Sequence, residues 1–479
     1  MTRITFGTDG WRAVIADGYT FANLERVARG TALWLKRTAG ATPRVVIGHD
    51  TRFQGRAFAE WTARVMASQG IAVRFAQTFV PTPAVSWAAR HDGCDAGLVI
   101  TASHNPPAYN GFKIKSRFGG PASPAMIAEV EAIINDLPDD RLDLRPYAAY
   151  RAEGWIEEVD LYEAYLDFLR RRLDLDAIRA AGITVAHDAM FGAGQGAPAR
   201  LLGADRVVAL RSEENPGFQG QAPEPIERNL ARLAEAVVRE GCAAGLANDG
   251  DADRIGMVDE RGRFVSSHQI LALLVKYLSQ ERGLRGDVIK TFSTTHLLDR
   301  MTAAYGLTLH TTPIGFKYIA PKIIEGDVLV GGEESGGIAV KGHIPERDGL
   351  YIGLLIVEMM VRRGRTLSAL VQELVDEFGP HEYHRIDVHT TDARKQAILE
   401  RLDGGGLTEI AGHAVTAVDT LDGYKHLTDG GWLLVRPSGT EPVLRVYAEA
   451  PTAAAARALV EDAMRQLGLD PGPRTQRPV

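Results

Sequence analysis

The sequence is poor in several things, and each shortage excludes a class of protein. Of 479 residues only two are cysteine, Cys94 and Cys242. They stand far apart and without metal-ligand spacing, which argues against a disulfide scaffold or a cysteine-ligated zinc site and for buried thiols in a reducing compartment. No stretch reaches the roughly 18 consecutive apolar residues of a membrane span. The opening Met-Thr-Arg-Ile-Thr-Phe-Gly lacks the apolar run of a signal peptide, so a cytoplasmic protein with no membrane partner is expected. Positive charge is short as well: 54 Lys and Arg face 61 Asp and Glu, a net charge of −7. A long basic groove for nucleic acid is therefore not expected, and an anionic substrate needs a local cluster of Arg and Lys.

What is present is organised. A 45% hydrophobic, 24% charged composition is that of a globular chain, and fifty glycines suit many tight loops. The length predicts two to four domains at roughly 150 residues each. Strand-like apolar segments (45–48, 72–76, 97–101) alternate with helical spacing (23–36, 54–69, 83–90, 123–136). That alternation indicates βαβ units and a parallel sheet. It recurs over 183–258 and over 269–376, a repeat of organisation with a period of about 110 residues. Residues 138–154 read as a linker, followed by an amphipathic helix over 159–173. From 380 onward strands adjoin with few crossovers, and the tail 469–479 is expected to fray. The expected fold class is α/β: three similar βαβ-type mixed-sheet domains over 1–148, 149–262 and 263–378, then an α+β domain over 379–479.

Each unit ends a strand in a polar loop, where open α/β sheets place their ligands. The first is Thr101-Ala102-Ser103-His104-Asn105-Pro106. Ser103 can be a nucleophile, a phosphate carrier or only a turn residue, and taken alone Ser-His-Asn reads first as a capped turn. Ten positions on comes Lys113, and the loop 6–12 offers Arg12. His49-Asp50-Thr51-Arg52 also follows a strand. In the second unit Asp249, Asp251 and Asp253 crowd one loop. Carboxylates so placed repel one another unless a hard cation such as Mg²⁺, Mn²⁺ or Ca²⁺ sits among them. An EF-hand is rejected, although Glu260 occupies its twelfth position: Arg254 stands where the loop requires glycine, and a strand follows. The third loop, Gly331-Gly332-Glu333-Glu334-Ser335-Gly336-Gly337, suits sugar hydroxyls, a metal or a plain turn. The fourth, Arg436-Pro437-Ser438-Gly439-Thr440, with Arg445 on the next strand, offers a guanidinium, hydroxyls and amides to a phosphate.

Together, and in this order, the four loops resemble those of the α-D-phosphohexomutase family, the phosphoglucomutases and phosphomannomutases. The opening Phe6-Gly7-Thr8-Asp9-Gly10-Trp11-Arg12 fits too, and the resemblance covers nearly the whole chain. It implies four domains around a central cleft. It also implies a phosphoryl group on Ser103 and Mg²⁺ held by Asp249, Asp251, Asp253 and the phosphate on Ser103. His104, Arg12 and Lys113 join Ser103 as the catalytic set. Glu333 and Ser335 would take the sugar; Arg436, Ser438, Gly439, Thr440 and Arg445 the non-reacting phosphate; Arg254, Gly315 and Lys317 the rest of the substrate. Glucose 1,6-bisphosphate is the implied activator and a hexose phosphate the implied partner, in a monomer or homodimer. The sequence departs from many bacterial members at Gly337, where those that act on both mannose and glucose, or on glucosamine, carry histidine. Gly337, together with Gly315-Phe316-Lys317, leans toward glucose. The alternatives are a phosphomannomutase or phosphoglucosamine mutase, a metal-dependent hydrolase, and a non-catalytic sugar-phosphate sensor.

Overall fold

A computed structural model of the chain describes residues 3–7, 9–40, 42–437 and 443–469. Its first sheet has six strands in the order Trp11–Val14, Tyr109–Ser116, Ala96–Ile100, Arg44–His49, Ala72–Ala76, Ile156–Val159. The second has five: Phe264–Val265, Ile255–Asp259, Ala244–Asn248, Val185–Asp188, Val207–Leu210. The third has four: Leu309–Thr312, Asp287–Thr291, Val328–Gly332, Ile338–Val340.

All three share one arrangement. Two parallel strands are joined by a third parallel strand, buried along its whole length: Ala96–Ile100, Ala244–Asn248 or Val328–Gly332. Each third strand then returns antiparallel through a short loop. Those three loops hold Ser103, the aspartate triplet and Glu333. A continuous apolar core runs from the first sheet's helices through the second sheet to the third. The helix Gly349–Arg363 lies in it, buried on nearly every side as such an apolar helix must be.

The fourth sheet is antiparallel throughout: Glu382–His389, Val443–Ala450, Gly431–Pro437, Tyr424–Thr428, Ala417–Asp419. The helix Ala453–Gln466 packs on it, giving the expected α+β character. Cys94 and Cys242 are free and buried. No helix among the described residues is long and apolar enough to cross a membrane.

One segment departs from expectation. Residues 138–154 are not only a linker, for they contain the helix Tyr147–Ala152. The strand Ile156–Val159 then pairs with Ala72–Ala76, so the first sheet runs past the expected break at 148, and the helix expected over 159–173 is Leu161–Arg170. The four residues Ile156-Glu157-Glu158-Val159 do not alternate, and a segment so short carries no period that separates a strand from a helix start. The tail from 470 lies outside the described residues.

The C-terminal sheet docks on the third through His268. Its ring sits 4.3 Å from that of Tyr383, and its Nδ1 accepts the Thr295 N–H at 3.3 Å. Burial lowers its pKa to about 4. Between about 6.5 and about 4 the unfolded chain therefore binds a proton that the folded chain does not, and stability falls as pH falls through that window. The slope is roughly 1.4 kcal/mol per pH unit. His268→Gln keeps an acceptor but cannot titrate. The wild-type advantage over it, from urea unfolding at several pH values, should shrink toward pH 4; a pH-independent difference would rule this out.

Candidate active site

Ser103 is buried and in a left-handed conformation, φ 52°, as is Ala252 in the aspartate loop, φ 56°. Such backbone persists only where its surroundings over-determine it. Around Ser103 they do. Its N–H donates to Thr101 Oγ1 at 2.8 Å, and Thr101 Oγ1 donates to Asp50 Oδ2 at 2.6 Å. The buried Arg52 guanidinium donates to four carbonyls of the loop: Ser103 at 2.7 Å, Asn105 at 2.5 Å, Pro106 at 2.8 Å and Tyr109 at 3.0 Å. Arg12 Nη1 donates to Asn105 Oδ1 at 2.6 Å.

The loops meet directly. Ser103 Oγ donates to Asp249 Oδ2 at 2.6 Å, and the Thr82 N–H reaches the Asp251 carbonyl at 2.9 Å. The Ile255 N–H donates to Gly336 O at 3.1 Å, clipping the aspartate loop to the glutamate loop. Lys113, returned beside Val99 by strand pairing, places Nζ 2.7 Å from Asp9, 2.8 Å from Asp251 and 3.1 Å from Asp253. Arg347 reaches Asp253 at 2.7 Å and Glu333 at 3.7 Å, and also pairs with Asp9. Lys115 sits 2.7 Å from Glu346.

Comparison with known proteins agrees with this geometry. Residues 3–140, 163–262 and 266–378 match the alpha/beta/alpha domains I, II and III of phosphoglucomutase/phosphomannomutase, and 389–466 match its C-terminal domain. The chain belongs to the α-D-phosphohexomutase family. A phosphoglucomutase/phosphomannomutase of Thermococcus kodakarensis is 32% identical over 458 residues, covering 95% of this chain and 96% of that one. A phosphoglucosamine mutase of Jannaschia sp. is 32% identical over 477 residues, covering 96% and 98%. A crystal structure from Thermus thermophilus, provisionally named a phosphomannomutase, has TM-score 0.86 at 37% identity and covers 98% of this chain and 99% of that one. Like its relatives, the chain is an intramolecular phosphotransferase, an isomerase.

The phosphohexomutase's aspartates fit a hard cation. Their ligand oxygens lie within 4.8 Å of one another, and all three residues are buried. Donors hold one oxygen each of Asp251 (Thr82 and Lys113) and Asp253 (Lys113 and Arg347), while Asp251 Oδ1 and Asp253 Oδ1 are buried without a hydrogen-bond partner among the described residues. Burial, then the charges of Asp251 and Asp253, push Asp249 well above the usual carboxylate range. A divalent ion relieves such crowding.

The other groups are tuned by the same field. Burial opposes the charge on Lys113, but Asp251, Asp253 and Asp9 outweigh it and raise the lysine above its ordinary value. Burial, then Arg254, Arg12 and Lys113, hold His104 well below the ordinary histidine value, so it is neutral, 3.5 Å from Ser103 Oγ. Burial raises Glu333 to about 7.

Of the residues singled out in the sequence of this phosphohexomutase, Ser103, His104, Lys113, Arg254 and the aspartates contact one another, while Arg12 joins them through Asn105 and Glu333 through Arg347. Lys317 lines a cavity of about 150 Å³ shared with Asp9 and Gly10. Arg436 and Arg445 are cross-strand partners on the C-terminal sheet. Ser438, Gly439 and Thr440 lie outside the described residues. The sequence shows the loops that hold Asp9 and Arg52 without giving either residue a role, and read alone it assigns no site at Glu346 and Arg347. The signal for Arg347 was a charged run, Glu346-Arg347-Asp348, just before a segment that is apolar up to Glu358. Arg347 also accounts for Gly337, where a Cβ would fall 2.3 Å from Arg347 Cδ.

Proposed function

We propose that the protein interconverts the 1-phosphate and 6-phosphate of an aldohexose by way of a phosphoryl group carried on Ser103. The observation that carries this reading is the 2.6 Å hydrogen bond from Ser103 Oγ to Asp249 Oδ2, inside a carboxylate cluster that fits a cation. Phosphoryl transfer is mostly positioning and charge neutralisation. The P–Oγ bond of phosphoserine breaks as a P–O bond to the sugar's free hydroxyl forms, and the hydroxyl proton passes to a base, for which neutral His104 is placed. The bisphosphorylated sugar turns end for end, its other P–O bond breaks as that phosphoryl group returns to Ser103 Oγ, and the sugar oxygen so released takes the proton back from the base. Glucose 1,6-bisphosphate would serve as activator by rephosphorylating the serine.

Asp249, Asp251, Asp253 and the phosphate would hold Mg²⁺, which when bound neutralises charge on the transferred group. Lys113, kept as an ammonium by its carboxylates, stabilises charge rather than taking the proton. Arg12 orients Asn105 in the serine loop. Glu333 and Ser335 would bind sugar hydroxyls, with Arg254, Gly315 and Lys317 around them. Arg436 and Arg445, with Ser438, Gly439 and Thr440, would grip the non-reacting phosphate.

The sugar is read more broadly than Gly337 alone suggests. Relatives named for mannose and glucosamine match this chain at 32% identity, which supports a mutase not confined to glucose. The test is kcat/KM for the α-1-phosphates of glucose, mannose and glucosamine, with glucose 1,6-bisphosphate present. Glucose and mannose substrates should fall within about tenfold of each other. Release of inorganic phosphate without isomer would make it a hydrolase; binding without turnover, a sensor.

A further inference from the structure

Asp422 lies in the turn Leu421-Asp422-Gly423, between two strands of the C-terminal sheet. Its carboxylate bridges two segments assigned to the substrate from the sequence, the strand end at Arg436 and the loop before Gly315. Oδ1 accepts Arg436 Nε–H at 2.9 Å, and Oδ2 accepts the Ile314 N–H at 2.7 Å. Ile314 precedes Gly315-Phe316-Lys317. The Phe316 ring in turn lies under Arg347, 5.5 Å from the guanidinium carbon, and Arg347 holds Asp253 and Asp9.

The turn is built for this reach. Gly423 has φ +103°, and a Cβ there would meet Val435 O at 2.7 Å and Arg436 Cα at 3.2 Å. Only glycine lets the turn press against the strand that carries Arg436. Asp422 is 21% exposed and Arg436 16%, so the pair is only partly screened. Asp422 engages the Nε side of the guanidinium. It thereby orients the rest of the fork, the part suited to bidentate phosphate binding.

We infer that Asp422 is a positioning residue that aims Arg436 at the substrate's non-reacting phosphate and fixes the distance of that phosphate site from the loop 312–317. The inference rests on the proposed reading of Arg436 as a phosphate ligand. It assigns Asp422 no contact with substrate; the residue acts through Arg436 on one side and Ile314 on the other. Asp422→Asn keeps the size and one acceptor for Ile314 but removes the charge that orients Arg436.

The test measures binding of α-D-glucose 1-phosphate and α-D-mannose 1-phosphate by calorimetry, and steady-state kinetics on the same full-length proteins. Asp422→Asn should weaken binding and raise KM by about tenfold, the scale of one charge-assisted hydrogen bond, with kcat changed less. In an Arg436→Met background the same substitution should have almost no further effect, because the group it acts through is gone. A merely structural role predicts instead a lower Tm and the same loss in both backgrounds, and that result would overturn the inference. So would wild-type affinity in Asp422→Asn. A wild-type protein that binds neither sugar phosphate would sink the functional reading, and this inference with it. Binding by the wild type with no weakening in the variant sinks the inference alone.

Discussion

Ser103→Ala is expected to lose turnover by on the order of 10⁴-fold or more, while the folded protein unfolds at nearly the same temperature. The kinetic half follows from chemistry, since among the described residues no other hydroxyl contacts Asp249 in the cluster. The structural half follows from geometry. The loop is held by Arg52 through four carbonyls and by Thr101 through the Ser103 N–H, none of which involves the Ser103 side chain. Alanine adds no atom at the left-handed position that serine already occupies. A coupled isomerase assay and a thermal melt check both halves. Near-normal activity would refute the role given to the serine.

Arg347→Met should destabilise the protein by roughly 3–5 kcal/mol, the usual cost of removing one partner from a buried ionic cluster. Arg347 is 4% exposed and stands among Asp9, Asp253, Glu346 and Glu333. Methionine fills part of the volume but leaves those carboxylates facing one another. Adding Asp9→Asn to Arg347→Met should recover part of the loss, because one repelling charge is then gone. Denaturant unfolding of the two variants measures this. Loss of less than about 1 kcal/mol would mean that the cluster does not depend on Arg347.

The sequence disclosed the loops better than what braces them. Ser103 and the aspartates are legible because each follows an apolar run, and because three carboxylates in five residues have few bland explanations. The repeated sheet order is legible for the same reason: wholly apolar strands such as Ala96–Ile100 and Val328–Gly332 announce burial on both faces. Arg52 and Arg347 are harder. Their partners lie far off in sequence: Arg52 donates to carbonyls more than fifty positions away, and Arg347 pairs with Asp9. A lone arginine shows no period that gives this away. The strand Ile156–Val159 was missed because its pairing with Ala72–Ala76 is set by tertiary contact, not by its own pattern. The sugar is less legible still. Gly337 reads as a statement about substrate, yet in the structure it is also a packing position against Arg347.

Where the phosphoryl group sits decides the mechanism. Protein incubated with glucose 1,6-bisphosphate and Mg²⁺, then cleaved and mapped by mass spectrometry, should carry one phosphoryl group on the peptide containing Ser103, and that group should be lost on adding excess glucose 6-phosphate. Phosphate found on another residue, or none under conditions where the enzyme turns over, would contradict it.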